Sequence, residues 1–126
     1  MRKEKKVILY VDDDKPNLSV FKISYKREFK VIVASNGHDA LEKLEQNDVQ
    51  VLLTDQRMPG MTGIQLIEKI HALYPNMAII LVSEFAIADD IKEACEKFGV
   101  DKRITKPWNT EELKDLLHKL IEEKVA

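Results

Sequence analysis

The sequence predicts an α/β fold, five βα units laid into one open parallel sheet with helices on both faces. Three observations carry that prediction. Four short apolar runs are continuous rather than alternating: Val7-Ile8-Leu9-Tyr10-Val11, Val31-Ile32-Val33-Ala34, Val51-Leu52-Leu53 and Met77-Ala78-Ile79-Ile80-Leu81-Val82. Continuous runs of this length are what strands covered on both faces require. Between the runs, apolar residues return every three or four positions, the helical period. Strand–helix–strand crossovers are right-handed, so successive units build a doubly wound sheet.

The elements follow in chain order. Strands are expected near residues 7–11, 30–34, 50–54, 77–82 and 101–104, the last a weaker run between Val100 and Thr105. Pro16 suits the first turn of the first helix, where Leu18, Phe21 and Tyr25 share a face. Asn36-Gly37 has hairpin chemistry, but Ala40 to Glu45 reads as helix, so a strand-to-helix turn is preferred. Leu41 with Leu44, and Ile67 with Ile70, mark the second and third helices, and Pro75 lies just past the third. Ile87, Ile91, Cys95 and Phe98 form the fourth stripe, ended by Gly99. Asn109 is placed to cap the fifth helix, whose stripe is Leu113, Leu116, Leu117, Leu120 and Ile121.

Composition narrows the function classes. With 126 residues, one domain is expected, spanning 1–126 with its ordered fold at about 6–124 and no effector domain in the chain. Apolar and charged fractions of 44% and 33% disfavour disordered and fibrous classes. Twenty basic residues against twenty-two acidic ones leave a charge of −2, which offers no general reason for a nucleic-acid or membrane partner. The single cysteine, Cys95, excludes an internal disulfide and is expected to be packed. No apolar run approaches the roughly 20 residues of a membrane helix, and the basic start Met1 to Lys6 has no signal-like stretch behind it. A cytoplasmic protein is therefore expected.

In open α/β sheets, ligands bind beyond the carboxyl ends of the strands. Asp12, Asp13 and Asp14 follow the first run, Asp55 the third, Ser83 the fourth and Lys106 the fifth. Clustered carboxylates repel one another, and an oxygen-only set suits Mg²⁺. A carboxylate can attack phosphorus to give an aspartyl phosphate. The spreading charge of phosphoryl transfer would then be neutralised by metal on one side and Lys106 on the other, with Ser83 donating to a phosphoryl oxygen. Each residue also has a plainer reading. Asp12 to Asp14 alone could be a solvated helix start, Ser83 a satisfied loop hydroxyl and Lys106 a surface lysine. His38, His71 and His118 sit away from strand ends and are expected to be ordinary surface residues. Trp108 is either an exposed anchor or packing beside the last helix. No glycine-rich nucleotide loop is present.

Three stretches together carry a resemblance: Ile8-Leu9-Tyr10-Val11-Asp12-Asp13-Asp14, Leu53-Thr54-Asp55-Gln56-Arg57-Met58-Pro59-Gly60-Met61-Thr62-Gly63, and Thr105-Lys106-Pro107-Trp108. From about Lys6 to Lys124 the chain resembles the receiver domain of bacterial two-component response regulators. The resemblance implies a flavodoxin-like sheet in the order 2-1-3-4-5. It implies Asp55 as phosphoacceptor, charged by a sensor histidine kinase or phosphotransfer protein, in a signalling domain rather than an enzyme. It implies a Mg²⁺ (or Mn²⁺) site at Asp12, Asp13, Asp55 and the Arg57 carbonyl oxygen, with Asp13 and Asp55 as direct ligands. Ser83 matches the switch hydroxyl and Lys106 the phosphoryl-binding lysine, whose bond to Pro107 is commonly cis in that family. Asp14 falls outside the acidic pair and starts the first helix.

The family's output or dimer face lies on the fourth helix, fifth strand and fifth helix, where Lys92, Glu96, Lys102, Arg103 and Lys114 fall. Two positions depart from its pattern. Glu84 replaces a small residue after the switch hydroxyl, and Arg103 stands where an aromatic switch residue is usual. Arg57 and Phe85 occupy positions that tune hydrolysis in the family and are poorly suited to orienting water, so a long-lived phosphorylated state is expected. The Asp55 and Lys106 stretches resemble receivers joined to cyclic-dinucleotide phosphodiesterase or hydrogenase-regulator effectors. Two alternatives stand beside this reading. One is a pseudo-receiver that binds partners without phosphorylation, motivated by Glu84 and Arg103. The other is an aspartate-nucleophile phosphatase of the haloacid-dehalogenase type, which would use Asp12-x-Asp14; here Lys15-Pro16 follows, and the chain is short for that class.

Overall fold

A computed structural model describes residues 4–84 and 88–125. The elements alternate without exception: β1 (Val7–Val11), α1 (Lys15–Tyr25), β2 (Lys30–Ala34), α2 (Gly37–Gln46), β3 (Val51–Asp55), α3 (Gly63–Ile70), β4 (Ala78–Ser83), α4 (Asp89–Lys97), β5 (Lys102–Thr105) and α5 (Thr110–Val125). The five strands pair in parallel in the order β2-β1-β3-β4-β5, which is the flavodoxin-like (βα)5 arrangement expected from the sequence.

Alternation of side chains across the sheet explains the continuous apolar runs. Ile8, Tyr10, Val51, Leu53, Ile80 and Val82 point to one face and pack on Leu18, Phe21, Leu117 and Leu120 of α1 and α5. Leu9, Val11, Leu52, Ile79 and Leu81 point to the other and meet Leu44, Leu66, Ile67, Ile70 and Cys95 of α2, α3 and α4. Both faces are thereby dry, and β1, β3 and β4 are buried nearly throughout. The edge strand β5 is largely exposed, which is why its run reads weakly.

The first two strands fall where expected; the last three begin and end one residue later. The shifts have local causes. The Gln50 side chain takes the Val7 amide at 2.7 Å, and the ladder proper begins at Val51. Gln56 N–H donates to the Val82 carbonyl at 2.9 Å, which keeps Asp55 inside the pairing. Met77 N–H turns back to the Tyr74 carbonyl, and the Asp101 carboxylate accepts from Ile79 N–H at 2.8 Å.

Helix ends follow their chemistry. Pro16 lies in the first turn of α1, and the Asn36 side chain accepts from Asp39 N–H at the start of α2. Thr62 and Gln65 close a reciprocal capping box on α3, and Asn109 accepts from Glu112 N–H at α5. Gly99, with φ +73°, ends α4 in the left-handed region that a side chain disfavours. Of the expected α4 stripe, Ile91, Cys95 and Phe98 join the core on that face, while Ile87 lies outside the described residues.

Candidate functional site

The carboxyl ends of β1, β3, β4 and β5 open into one cavity of about 470 Å³. Its floor is built from Asp12, 1% exposed, and Asp55, 7% exposed, each at the end of its apolar strand. Lys106 enters from beyond β5, where its N–H bonds the Ser83 carbonyl at 2.8 Å and its peptide to Pro107 is cis. The Lys106 ammonium reaches Asp12 Oδ2 at 2.7 Å and Asp55 Oδ2 at 3.4 Å. Asp13 is exposed at the rim, yet oxygens of Asp12, Asp13 and Asp55 all lie within 4.8 Å of one another. Ser83, buried at the end of β4, lines the cavity with Arg57 and Glu84.

Asp12 is densely partnered. Its Oδ1 accepts from Asp14 N–H at 3.0 Å. Its Oδ2 accepts from the Tyr10 hydroxyl at 2.7 Å, from Asn17 Nδ2 at 3.2 Å and from Lys106. Burial raises its carboxyl, but Lys106, the Asp14 amide and Tyr10 more than reverse that and hold it below the usual carboxylate range. Asp55 moves the other way: burial and the neighbouring Asp12 charge outweigh Lys106 and raise it. Burial lowers the Lys106 ammonium, and the two carboxylates raise it further than burial lowers it.

The loop after β3 is shaped to hold Asp55. The Gln56 carbonyl accepts from Gly63 N–H at 3.1 Å and its side chain from Ile64 N–H at 2.8 Å, which folds the start of α3 back onto the strand end. A Cβ on Gly63 would run into the Asp55 carbonyl oxygen, so this close approach requires glycine.

The sequence-level candidates therefore divide. Asp12, Asp13, Asp55, Ser83 and Lys106 are brought together, and Asp14, Arg57 and Glu84 line the same cavity. Asp14 caps α1 by backbone geometry alone. Phe85 lies outside the described residues. Arg103 does not join the site: it is exposed on β5 opposite Leu81 and lines a separate groove of about 400 Å³ with Ile104, Trp108 and Leu116. Trp108 is half-buried with its ring edge-on to Tyr10 and Phe21, a packing position. Cys95 is buried on α4. His38 is exposed, His71 lies against the Phe98 ring and His118 meets Glu28 at 3.3 Å.

Three contributors escape a reading of strand ends: Tyr10, Asn17 and Gln56. Tyr10 carried a usable signal, because residues two apart on a strand share a face, and a phenol there stands beside Asp12. Asn17 and Gln56 act through side-chain directions that spacing does not report.

An oxygen-only cluster of three carboxylates around one point suits a hard divalent cation, which would relieve their mutual repulsion. No helix among the described residues is long and apolar enough to cross a membrane.

The family described as "Response regulator receiver domain" fits residues 8–118. The hydrogenase transcriptional regulatory protein HoxA of Cupriavidus necator is 29% identical over 122 residues, 97% of this chain and 25% of that protein. A cyclic di-GMP phosphodiesterase of Thermotoga maritima is 34% identical over 108 residues, 86% of this chain and 28% of that protein. The chain thus spans about a quarter of the length of these relatives. The crystal structure of a CheY-like response regulator receiver domain protein from Methanospirillum hungatei superposes with a TM-score of 0.90 at 31% identity, covering 96% of this chain and 97% of that one.

Proposed function

This chain belongs to the response regulator receiver domain family, a signalling class, and on that premise we propose that it accepts a phosphoryl group on Asp55 from a phosphohistidine of a sensor histidine kinase or phosphotransfer protein. The observation that carries this reading is the Lys106 ammonium set between Asp12 and Asp55 at 2.7 and 3.4 Å, with Asp13 beside both. Asp55 Oδ forms the new P–O bond as the P–N bond to imidazole breaks, and the imidazole leaves with the bonding pair. Lys106 neutralises charge on the phosphoryl oxygens, and Ser83 donates to one of them. Asp13 and Asp55, with the Arg57 carbonyl, would hold Mg²⁺ or Mn²⁺ directly, and Asp12 would support them from its anchored position. A bound ion would add positive charge that, together with Lys106, offsets the charge on the phosphoryl oxygens.

Nucleophile choice follows from partner count. Asp12 accepts hydrogen bonds from four groups, which lowers its nucleophilicity, whereas Asp55 meets the ammonium at longer range. This favours Asp55 over the Asp12-x-Asp14 scheme of a dehalogenase-type phosphatase. The phosphoryl group is long-lived, because Arg57 does not offer a carboxamide or carboxylate to orient water. The modified site is read through α4, β5 and α5, whose Lys92, Glu96, Lys102, Arg103 and Lys114 form a charged surface for an effector or a second copy.

The test is intact-mass analysis after incubation with phosphoramidate or acetyl phosphate and Mg²⁺. The wild type gains one phosphoryl group and Asp55→Asn gains none. Equal labelling of both removes Asp55 from the role, and no labelling of the wild type by any donor favours a binding module that works without phosphorylation.

A further inference from the structure

We propose that Tyr10 is a positioning residue of this site: its buried phenol shares the Asp12 carboxylate with Lys106 and so releases the ammonium to turn toward a group on Asp55. The proposal rests on the phosphoacceptor reading of Asp55.

The phenol is held in place. Tyr10 is 1% exposed, its ring stacks on Phe21 with centroids 4.3 Å apart and meets the edge of Trp108 at 6.1 Å. A ring clamped on two sides fixes where its hydroxyl sits. That hydroxyl lies 2.7 Å from Asp12 Oδ2, and an ionised carboxylate can only accept, so the phenol donates. The same oxygen takes the Lys106 ammonium at 2.7 Å, while Asp55 Oδ2 is 3.4 Å from that ammonium. In this arrangement Lys106 leans on Asp12.

A phosphoryl group on Asp55 needs the cation nearer to itself. Turning Lys106 away withdraws it from a carboxylate only 1% exposed, and a buried carboxylate stripped of its partner is strongly disfavoured. Tyr10 and Asn17 stay bonded to the same oxygen through that movement, so the charge is never left without donors. Without the hydroxyl, Asp12 would keep a tighter hold on the ammonium. The ring packing on Phe21 and Trp108 needs no hydroxyl, so Tyr10→Phe removes this one function and keeps the shape.

Beryllofluoride with saturating Mg²⁺, a stable stand-in for the phosphoryl group, is titrated into wild type and Tyr10→Phe and read by ¹⁹F resonance of the bound species. Mg²⁺ alone is titrated separately by calorimetry, and melting curves confirm folding. Tyr10→Phe is expected to bind beryllofluoride about fivefold more weakly, a fraction of one hydrogen bond to a charged group because that bond is present before and after Lys106 turns and only its strengthening counts, with its affinity for Mg²⁺ alone undiminished. Equal beryllofluoride affinity in the two proteins overturns the proposal. So does a parallel loss of Mg²⁺ affinity, which would mark a merely structural disturbance of Asp12. Should Tyr10→Phe fail to fold, Asn17→Ala withdraws the other neutral donor from the same oxygen at a half-buried position. It should show the same split at about threefold, and its absence overturns the proposal. A wild type that binds no beryllofluoride refutes the phosphoacceptor reading itself, an outcome distinct from an unaffected Tyr10→Phe.

Discussion

At the end of β1, Asp12 is gripped by a phenol, a carboxamide, a backbone amide and an ammonium; at the end of β3, Asp55 meets the same ammonium from farther away. Both carboxylates are buried at the floor of one cavity. Their pKa values nevertheless move in opposite directions, Asp12 below and Asp55 above the ordinary range. Burial alone would raise both; at Asp12 the surrounding donors reverse it, while at Asp55 burial and the neighbouring Asp12 charge outweigh Lys106. The two ends thus differ in kind: one acid is anchored by four donors, and the other keeps an incompletely compensated charge, which is what the proposed phosphoacceptor role asks of it.

The largest expected blow to this comparison is a distortion of the β3 end itself. Gly63→Ala drives a methyl group into the Asp55 backbone carbonyl and should destabilise the fold by about 3 kcal/mol, the upper range of overpacking. Gly60→Ala is the control, since nothing lies near its added carbon but its φ is +78°; it should cost about 1 kcal/mol of backbone strain. Urea unfolding of both variants measures the gap, and equal effects would show that α3 is not pressed against Asp55.

Next in size is a pair of isosteric neutralisations without divalent ions. Asp12→Asn removes a favoured charge and should lower stability by about 2 kcal/mol. Asp55→Asn removes a disfavoured one and should raise the melting temperature. Two shifts of the same sign would break the contrast between the strand ends.

The smallest effect lies in the pH dependence of the metal-free protein. Because the folded protein holds the Asp55 proton more tightly than the unfolded chain, lowering the pH through Asp55's raised pKa favours the fold. The advantage of Asp55→Asn over wild type should therefore shrink on acidification toward the ordinary carboxylate value. Asp12 has the opposite sign: its contribution is present above that ordinary value and is lost only as pH falls through its depressed pKa. The deficit of Asp12→Asn should persist to a lower pH. Melting temperatures across an acid series, with chelator present, separate the two.

Legibility in the sequence was uneven for physical reasons. The strand-end rule works for Asp12, Asp55 and Ser83 because an apolar run and the polar residue that stops it are neighbours in the chain, whereas Lys106 follows the exposed strand β5 and has a weaker signal. The one-residue shift at β3 was hidden because it depends on Gln56 pairing with Val82 across the sheet. Tyr10 was hidden inside an apolar run, where its ring is indeed core and only its hydroxyl serves the site. Arg103 matches a switch position in sequence only, and its exposure on an edge strand places it on the surface rather than in the cavity.

By itself the sequence determined the order of strands and helices, their covered faces and the acids at their ends, because run length and period are properties of neighbouring residues. Tertiary structure alone decided which acid is densely partnered and which is held only loosely. That distinction rests on ångström-scale placement of donors, one of them arriving from 94 residues away along the chain. No local pattern encodes such a distance.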